Sequence, residues 1–285
     1  MLPMTSLPSS PPTAPTLVAG GTGKTGRRVA AGLQRRGVPT RIASRSGHPA
    51  FAWEDRATWA PVLDGVRAAY LAFFPDLAVP GAAETVGAFA ATAREAGVER
   101  LVLLSGRGED EAQHAEAAVR AAGLPTTVIR ASWFMQNFDE SFLLDAVRDG
   151  TVALPVAATV PEPFVDADDI AAIAVAALTE DGHAGALYEV TGPRLLTFAE
   201  TVAEIGAATG RELTYMSVPL EAYASEAAAQ GVPPEMIDLL TYLFTEVLDG
   251  RNASVTDGVQ RALGRPPRDF AGYVADTAAT GAWHV

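Results

Sequence analysis

The chain of 285 residues is long enough for one large α/β domain or for a nucleotide-binding domain with a smaller substrate-binding portion, and 48% of its residues are hydrophobic. Its net charge of -13 argues against a nucleic-acid partner, because binding to a phosphate backbone needs many Lys and Arg side chains on one face. It contains no cysteine, which excludes disulfides, thiolate metal sites and a cysteine nucleophile.

The start of the chain is rich in proline and lacks the basic and apolar regions of a signal peptide, so we expect a disordered leader over 1–15. No apolar run approaches the ~20 residues that a membrane span requires. We therefore expect a cytoplasmic protein with neither a membrane nor a nucleic acid as its partner. The sequence does not predict the oligomeric state.

Strand and helix patterns alternate through the first half of the chain, which predicts an α/β fold with a Rossmann-like, doubly wound parallel sheet. The predicted strands span residues 16–20, 39–44, 51–53, 68–73, 100–105 and 126–130. The predicted helices are 24–36, a helical turn over 58–63, a helix that ends at Gly97, and 109–122.

The second half of the chain has a looser pattern with more helix. Helices are predicted near 138–148, 167–178, 198–209, 220–229 and 234–248, with short strands near Val152 and over 188–190. We expect a nucleotide-binding Rossmann domain over 16–150 and a smaller, mainly helical substrate-binding portion over 151–285. No long linker separates them, so the second portion is expected to pack on the first and not to fold alone.

A glycine-rich turn follows the first predicted strand and opens the first helix. Gly20 permits the tight turn, Gly23 the close approach of a phosphate, and Gly26 the packing of the helix on the strand. A turn without a ligand would leave these glycines and the helix N-terminus unexplained. The predicted cofactor-binding residues of the turn are Gly20, Thr22, Gly23, Lys24, Thr25 and Gly26.

The end of the second predicted strand favours NADP over NAD. An Asp or Glu at this distance from the turn would bind the ribose 2′-hydroxyl of NAD, but the residues here are Ser44 and Arg45. A guanidinium suits a 2′-phosphate because it offers a planar fork of donors. If Arg45 does not bind the 2′-phosphate, it is a solvated cation in a loop. Strand alternation does not decide whether Arg41 faces the cofactor.

Lys24 is the only lysine in the chain, so the Tyr-x-x-x-Lys pair that serves proton transfer in many dehydrogenases on this fold cannot form. The remaining candidates for acid–base work are His114, in the helix after the fifth strand, and the hydroxyl of Ser105 at the end of that strand. His114 serves only if it faces the pocket, and helix histidines are commonly solvated.

Five segments, in order, resemble the NmrA-like branch of the atypical short-chain dehydrogenase/reductases: 20–26, 53–59, 103–105, 129–137 and 164–170. The resemblance runs from about residue 16 to residue 283. Within the branch the chain is most similar to reductases of the festuclavine and agroclavine dehydrogenase kind. It is more distantly similar to NADPH-dependent quinone reductases, and to nitrogen-regulator proteins that bind a nucleotide without turning it over.

The resemblance implies positions around the cofactor, and several have an alternative structural role. Phe73 and Phe74 would line the middle of the cofactor, although aromatic residues at a strand end are also ordinary core. Ser105 would lie near the nicotinamide, or simply cap the next turn. The predicted substrate-pocket residues are Trp133, Phe134 and Asn137, while Phe134 and Met135 equally suit a plain core.

Three acidic residues follow at Asp166, Asp168 and Asp169. Their family counterparts are structural, so we expect Asp166 or Asp168 to cap the helix that begins near Ile170, and we expect no metal site. In the helix after the fifth strand, several relatives carry a lysine or tyrosine that this chain lacks, which puts acid–base catalysis in doubt.

These observations predict an NADPH-dependent reductase that transfers hydride to a small polarised unsaturated substrate, an iminium, imine or quinone, without a Tyr-Lys pair. An iminium already carries positive charge on nitrogen and accepts hydride without an enzyme acid. The alternative is a non-catalytic NADP-binding redox sensor that acts through a protein partner. A third hypothesis is a ketone reductase or epimerase-like enzyme that uses His114 or Tyr215.

Overall fold

The computed structural model describes residues 14–284. The predicted leader over 1–15 therefore lies outside the described residues, apart from its last two. Within 14–284, none of the helices has both the length and the apolar composition that crossing a bilayer demands.

The chain alternates between strands and helices. The strands are β1 (Thr16–Ala19), β2 (Thr40–Ala43), β3 (Ala68–Leu71), β4 (Arg100–Gly106), β5 (Thr126–Ala131), β6 (Thr151–Leu154), β7 (Pro161–Glu162), β8 (Leu187–Val190), β9 (Leu196–Thr197) and β10 (Thr214–Ser217). The helices are α1 (Lys24–Arg35), α2 (Trp59–Leu63), α3 (Ala82–Glu95), α4 (Asp110–Ala121), α5 (Leu144–Asp149), α6 (Ala167–Thr179), α7 (Phe198–Thr209), α8 (Leu220–Ala229), α9 (Pro234–Tyr242), α10 (Gly258–Leu263) and α11 (Phe270–Thr280).

The central sheet has six parallel strands in the order β2-β1-β3-β4-β5-β8. Helices cover both faces, which explains why β1 and β3 are buried at every position and read as continuous apolar runs. On one face α1 packs against α6 through Val29 and Leu33, and on the other α3 and α4 contribute Phe89 and Val119. The predicted doubly wound α/β fold is confirmed.

The strand order reverses beside β1. The chain moves from β1 outward to β2, then returns to place β3 on the other side of β1. In an open parallel sheet such a reversal opens a crevice at the carboxyl ends of the strands, where ligands bind. The crevice here lies between Gly20, which follows β1, and Ala72, which follows β3.

A third core forms beyond the sheet from aromatic side chains of the second half of the chain. Phe138, Phe164, Phe198 and Phe270 pack with ring centroids 5.1 to 6.1 Å apart. Trp283 closes this core, because its indole N–H donates to the carbonyl oxygen of Phe138 at 2.9 Å. The domain boundary at residue 150 stays a prediction.

Two predicted elements are wrong. Residues 51–53 are not a strand, because Phe51 and Trp53 pack edge-on against Phe89 of α3 and the Phe51 N–H donates to the carbonyl of Ser44, which closes a loop. The predicted helix over 138–148 is helical only toward its C-terminal end, where α5 lies. The first part of that range is not helical, because the chain makes a 3₁₀ turn at Met135–Asn137 and then buries Phe138.

Other elements differ in detail. The predicted helix over 234–248 is α9 followed by a π-helical turn, Leu243–Val247. The predicted strand near Val152 is β6, which pairs with β10 apart from the central sheet. The strand over 188–190 is β8, and it forms the sixth strand of that sheet.

Candidate functional site: a cleft at the strand ends

A cleft of about 910 Å³ opens at the carboxyl ends of the central strands. Its floor is the glycine-rich turn 20–26 together with the segments that follow β2, β3, β4 and β5. Its far wall comes from α9 and the π-helical turn, through Met236, Leu239, Leu240 and Leu243. The volume lies in the range of ordinary ligand sites, and π-helical turns are frequent at such sites.

The turn has the shape that close approach to a ligand backbone requires. Gly20 has φ +77°, and a Cβ there would lie 2.8 Å from the carbonyl oxygen of Ala72. A Cβ at Gly26 would lie 2.1 Å from the carbonyl oxygen of Gly20. Gly23 caps α1 and has no side chain to satisfy the first N–H groups of that helix, which leaves them for an anion. These residues fit the predicted pyrophosphate.

Two other residues of the turn have partners within the protein. Thr25 is buried, and its Oγ1 accepts a hydrogen bond from the hydroxyl of Tyr70 at 2.9 Å. Lys24 lines the cleft and its Nζ donates to Oδ1 of Asn137 at 2.9 Å. Burial lowers the pKa of Lys24. The lone lysine therefore joins the phosphate turn to the predicted substrate segment.

The end of β2 lies at one edge of the cleft. Ser44 and Arg45 both line it, and the exposed Arg45 has no ion pair or hydrogen bond with any residue of the described range. Arg41 is turned away, because its guanidinium donates to the carbonyl oxygens of Val62 and Asp64 at 2.8 and 2.7 Å. The open question about Arg41 is thereby answered, and Arg45 is the guanidinium at this edge.

The two aromatic residues predicted to line the middle of the cofactor, Phe73 and Phe74, both line the cleft. Phe73 packs on Trp53 with a centroid distance of 5.1 Å, whereas Phe74 is 71% exposed. Trp133, Phe134 and Asn137 line the part of the cleft beyond β4 and β5.

In the segment after β5, side-chain packing distinguishes the residues that line the cleft from those that belong to a hydrophobic core. The Trp133 ring lies 6.0 Å from that of Phe244 in the far wall. Met135 is buried in the third core, as its alternative role predicted. Phe134 both lines the cleft and packs on the sheet core, so it combines the two roles foreseen for it.

Five carboxyl groups without a role predicted from the sequence also line the cleft: Glu54, Asp76, Glu109, Glu140 and Glu162. Glu140 pairs with Arg27 and Arg28. Asp76 and Glu109 lie close enough for their carboxyls to influence each other's pKa. Burial raises the pKa of Glu109 to about 9, with the Asp76 carboxyl as the second cause. Burial also raises the pKa of Asp76, and it raises that of Glu162 to about 7.

The predicted acid–base residues have other surroundings. Ser105 lines the cleft, but its Oγ donates to Glu116 at 2.7 Å. His114 is exposed on α4 and is not among the cleft-lining residues. The Tyr215 hydroxyl donates to the carbonyl oxygen of Val156 at 2.6 Å. The geometry therefore brings Ser105 to the site, and leaves His114 and Tyr215 outside it.

We expect His114→Ala to leave turnover and its pH profile unchanged, within about twofold, because the imidazole is exposed and distant from the lining. Initial rates across a pH series would check this. A lost or shifted limb of the pH profile in the variant would return the histidine to the mechanism.

The three aspartates at the start of α6 have structural partners. Asp166 is the cap residue, since its side chain accepts from the Asp168 N–H at 2.8 Å. Arg268 pairs with Asp166 and Asp168, and Arg265 pairs with the buried Asp169. The capping prediction is confirmed, with Asp166 as the residue concerned.

A sequence signal for the missed carboxyls exists in hindsight. Asp76 and Glu109 follow β3 and β4, two neighbouring parallel strands, so topology alone brings them to the same edge of the sheet. Glu109 lies at the start of a helix, where a carboxylate ordinarily caps the helix. From the sequence, its side chain is therefore expected to point to the helix and not to the cleft. In the structure its side chain forms no cap hydrogen bond.

The sequence profile of the NmrA-like family matches residues 13–254. An NAD(P)H azoreductase from Xenophilus azovorans is 30% identical over 294 residues, which cover 93% of this chain and 99% of the relative. An agroclavine dehydrogenase from Claviceps fusiformis is 28% identical over 277 residues, which cover 91% and 96% respectively.

Among solved structures, an NADPH-dependent quinone oxidoreductase from Escherichia coli, complexed with NADPH, superposes with a TM-score of 0.77. The match spans 93% of this chain and 99% of the other at 20% identity, and it shows a shared fold. Together with the profile match over most of the chain, these similarities confirm the predicted resemblance. The chain belongs to the NmrA-like family.

Proposed function

We propose that this protein is an NADPH-dependent reductase that transfers hydride to a small polarised unsaturated substrate, an iminium, imine or quinone. One observation carries the proposal. A single cleft joins the glycine turn to the aromatic Trp133–Asn137 segment, and the Lys24–Asn137 hydrogen bond connects these two segments directly. The similar azoreductase and agroclavine dehydrogenase are oxidoreductases by name, which supports the same class of reaction.

The strand order supports a proposed direction for the cofactor in the cleft. Arg45 follows β2 at one edge, the glycine turn follows β1, and the aromatic segment follows β5 on the other side. A dinucleotide with its pyrophosphate at the turn and its ribose phosphate at Arg45 extends its other end over β3 and β4. NADPH supplies the hydride there, while the protein orients it and excludes water.

We expect Arg45→Ala to weaken NADPH binding by about 10- to 100-fold, because a charge-assisted hydrogen bond contributes about 1.5–3 kcal/mol. NADH binding changes little, since NADH lacks the 2′-phosphate. Fluorescence titration of both nucleotides measures the two effects. Arg35→Ala, which removes an exposed arginine outside the cleft, is the matched control for net charge. Equal losses for NADPH and NADH would remove Arg45 from 2′-phosphate recognition.

The pocket chemistry suits a flat, largely apolar substrate. Trp133 and Phe134 supply aromatic surface, the α9 wall supplies leucine and methionine, and Asn137 supplies a polar anchor. With no Tyr-Lys pair, an iminium is the substrate least dependent on an enzyme acid.

The test is NADPH oxidation with a panel of cyclic iminium salts, imines, quinones and aldehydes, combined with a binding titration of NADPH. The proposal predicts binding and oxidation with at least one class of acceptor. Tight binding without oxidation across the panel would instead favour the redox sensor acting through a protein partner. The missing catalytic acid favours the sensor hypothesis. The buried carboxyls of Glu109 and Glu162 in the cleft weaken that argument.

A further inference from the structure

We infer that the Asp76–Glu109 carboxyl pair is the proton donor of the reduction, with Glu109 as the group that delivers the proton to the substrate. This inference rests on the proposed reductase function. It extends the substrates from cations that need no acid to neutral acceptors that must gain a proton as well as a hydride.

The first support is the position of the pair. Asp76 follows β3 and Glu109 follows β4, so both lie at the end of the cleft over which the dinucleotide extends from the turn and Arg45. Both line the cleft, as do Ser105 at the end of β4 and Trp133 after β5. The pair therefore lines the same cleft as the expected cofactor path and the predicted substrate segment.

The second support is the orientation of Glu109. It is 5% exposed, yet one carboxyl oxygen has no hydrogen-bond partner within the described chain. Its side chain packs on Gly106, where an added Cβ would lie 1.9 Å from Oε1. A carboxyl at the start of a helix ordinarily caps that helix, but this one does not. A buried polar atom without a partner, beside a cleft, is a site for a ligand atom.

The third support is the protonation of the pair. Two ionised carboxylates repel each other and cannot donate, so neighbouring buried carboxyls such as Asp76 and Glu109 favour retention of a proton on the pair. Two carboxylates of α4, Glu111 and Glu116, also raise the pKa of Glu109, and Arg107 is the charged group of opposite sign on the same loop. Because burial and these carboxylates raise the pKa of Glu109, the proton remains at neutral pH.

The loop that carries Glu109 is fixed by hydrogen bonds of Arg107, which lines the same cleft. The buried Arg107 donates to the carbonyl oxygen of Asn252 at 2.8 Å, and the Asn252 amide donates back to the Arg107 carbonyl at 2.9 Å. Arg107 also donates to Ser254 at 2.8 Å. These contacts provide protein partners for the Arg107 guanidinium and fix the loop that carries Glu109.

The proposed reduction transfers one hydride and one proton to the substrate. The C4–H bond of the reduced nicotinamide breaks and its hydride forms a new bond to the electron-poor atom of the substrate double bond. The electron pair of that bond moves to its second atom, which takes the proton from the Glu109 carboxyl. The substrate is reduced by two electrons, NADP⁺ forms, and Glu109 regains a proton from water.

The test uses two acceptors and one matched pair of variants. A neutral quinone requires a proton, whereas an N-alkylated cyclic iminium salt does not. We expect Glu109→Gln, which keeps the shape and a donor toward Asp76, to lower quinone turnover by at least about 100-fold, the usual contribution of a general acid. Iminium turnover and NADPH binding stay within about twofold. Asp110→Asn, an exposed change at the same helix end, is the control and alters neither.

Two further readouts separate a proton donor from a structural group. Infrared spectra of the protein without substrate show a protonated carboxyl band at neutral pH that Glu109→Gln loses. Quinone turnover by the wild type falls as pH rises through the raised pKa, because the acid form disappears, and the variant lacks this fall.

The outcomes are distinguishable. Unchanged quinone turnover, equal losses with both acceptors, or an unchanged carboxyl band in Glu109→Gln would overturn the inference alone. Absence of NADPH oxidation by the wild type with every acceptor would overturn the proposed function, and the inference with it.

Discussion

Gly26→Ala is expected to reduce NADPH affinity by at least about tenfold and to destabilise the fold by about 1–3 kcal/mol. The added Cβ would lie 2.1 Å from the carbonyl oxygen of Gly20, and the next nearest atoms are also backbone, at 2.7 and 2.8 Å. Because no flexible side chain can yield, the turn itself must shift. Its shift displaces the N–H groups at the start of α1 that are expected to bind the pyrophosphate.

Fluorescence titration of NADPH and urea unfolding measure the two parts of this effect. Gly272→Ala is the matched control, since Gly272 lies in α11 with open space around its Cβ position. That change should leave binding unaltered and stabilise the helix by up to about 1 kcal/mol. Wild-type NADPH affinity in Gly26→Ala would contradict the assignment of the turn to the cofactor.

Trp283→Ala is expected to lower the free energy of unfolding by about 3–5 kcal/mol, the usual cost of removing a fully buried large aromatic side chain. Trp283 has no exposed surface, packs 6.0 Å from the ring of Tyr273, and donates to the carbonyl oxygen of Phe138. Phe138 directly follows the Trp133–Asn137 segment. The variant should therefore also raise the KM for substrate more than it changes NADPH affinity.

Urea unfolding followed by circular dichroism gives the stability, since the change removes a fluorescent reporter. Trp283→Phe is the graded control, because it retains an aromatic ring and loses the indole N–H. We expect it to cost about 1–3 kcal/mol. If the alanine variant were as stable as the wild type, the last residues would not complete the third core.

The fold of the first half was predictable because its signals are local. Buried strands read as apolar runs, and the turn 20–26 has the glycine spacing of a strand-to-helix phosphate site. The error at residues 51–53 has the opposite origin. Phe51 and Trp53 have high strand propensity, but packing against Phe89 decides their conformation, and that contact is distant in sequence.

The candidate site was predictable only where a motif marks it. Gly20, Gly23 and Arg45 occupy recognisable positions, and all three line the cleft. Asp76 and Glu109 carry no motif, since they come together through the order of β3 and β4 in the sheet. Lys24 is intermediate: its place in the turn was evident, but its bond to Asn137 joins residues 113 positions apart.

The absence of a Tyr-Lys pair takes on a different meaning beside these carboxyls. From the sequence it restricted the protein to substrates that need no acid, or to no reaction. In the structure, the loops after β3 and β4 bring the partly buried Asp76 and the buried Glu109 to the cleft. Lys24 is then not needed for acid–base catalysis, and its hydrogen bond to Asn137 suits it to holding the turn against the Trp133–Asn137 segment.

The most direct test of the reductase function follows the hydride itself. NADPH deuterated at both C4 positions is incubated with the protein and a cyclic iminium or imine acceptor, and the product is examined by mass spectrometry. The proposed function predicts one deuterium in each product molecule, on the carbon of the former C=N bond, and no deuterium there when unlabelled NADPH is used in D₂O. Saturable binding of labelled NADPH with no transfer of deuterium to any acceptor would contradict it.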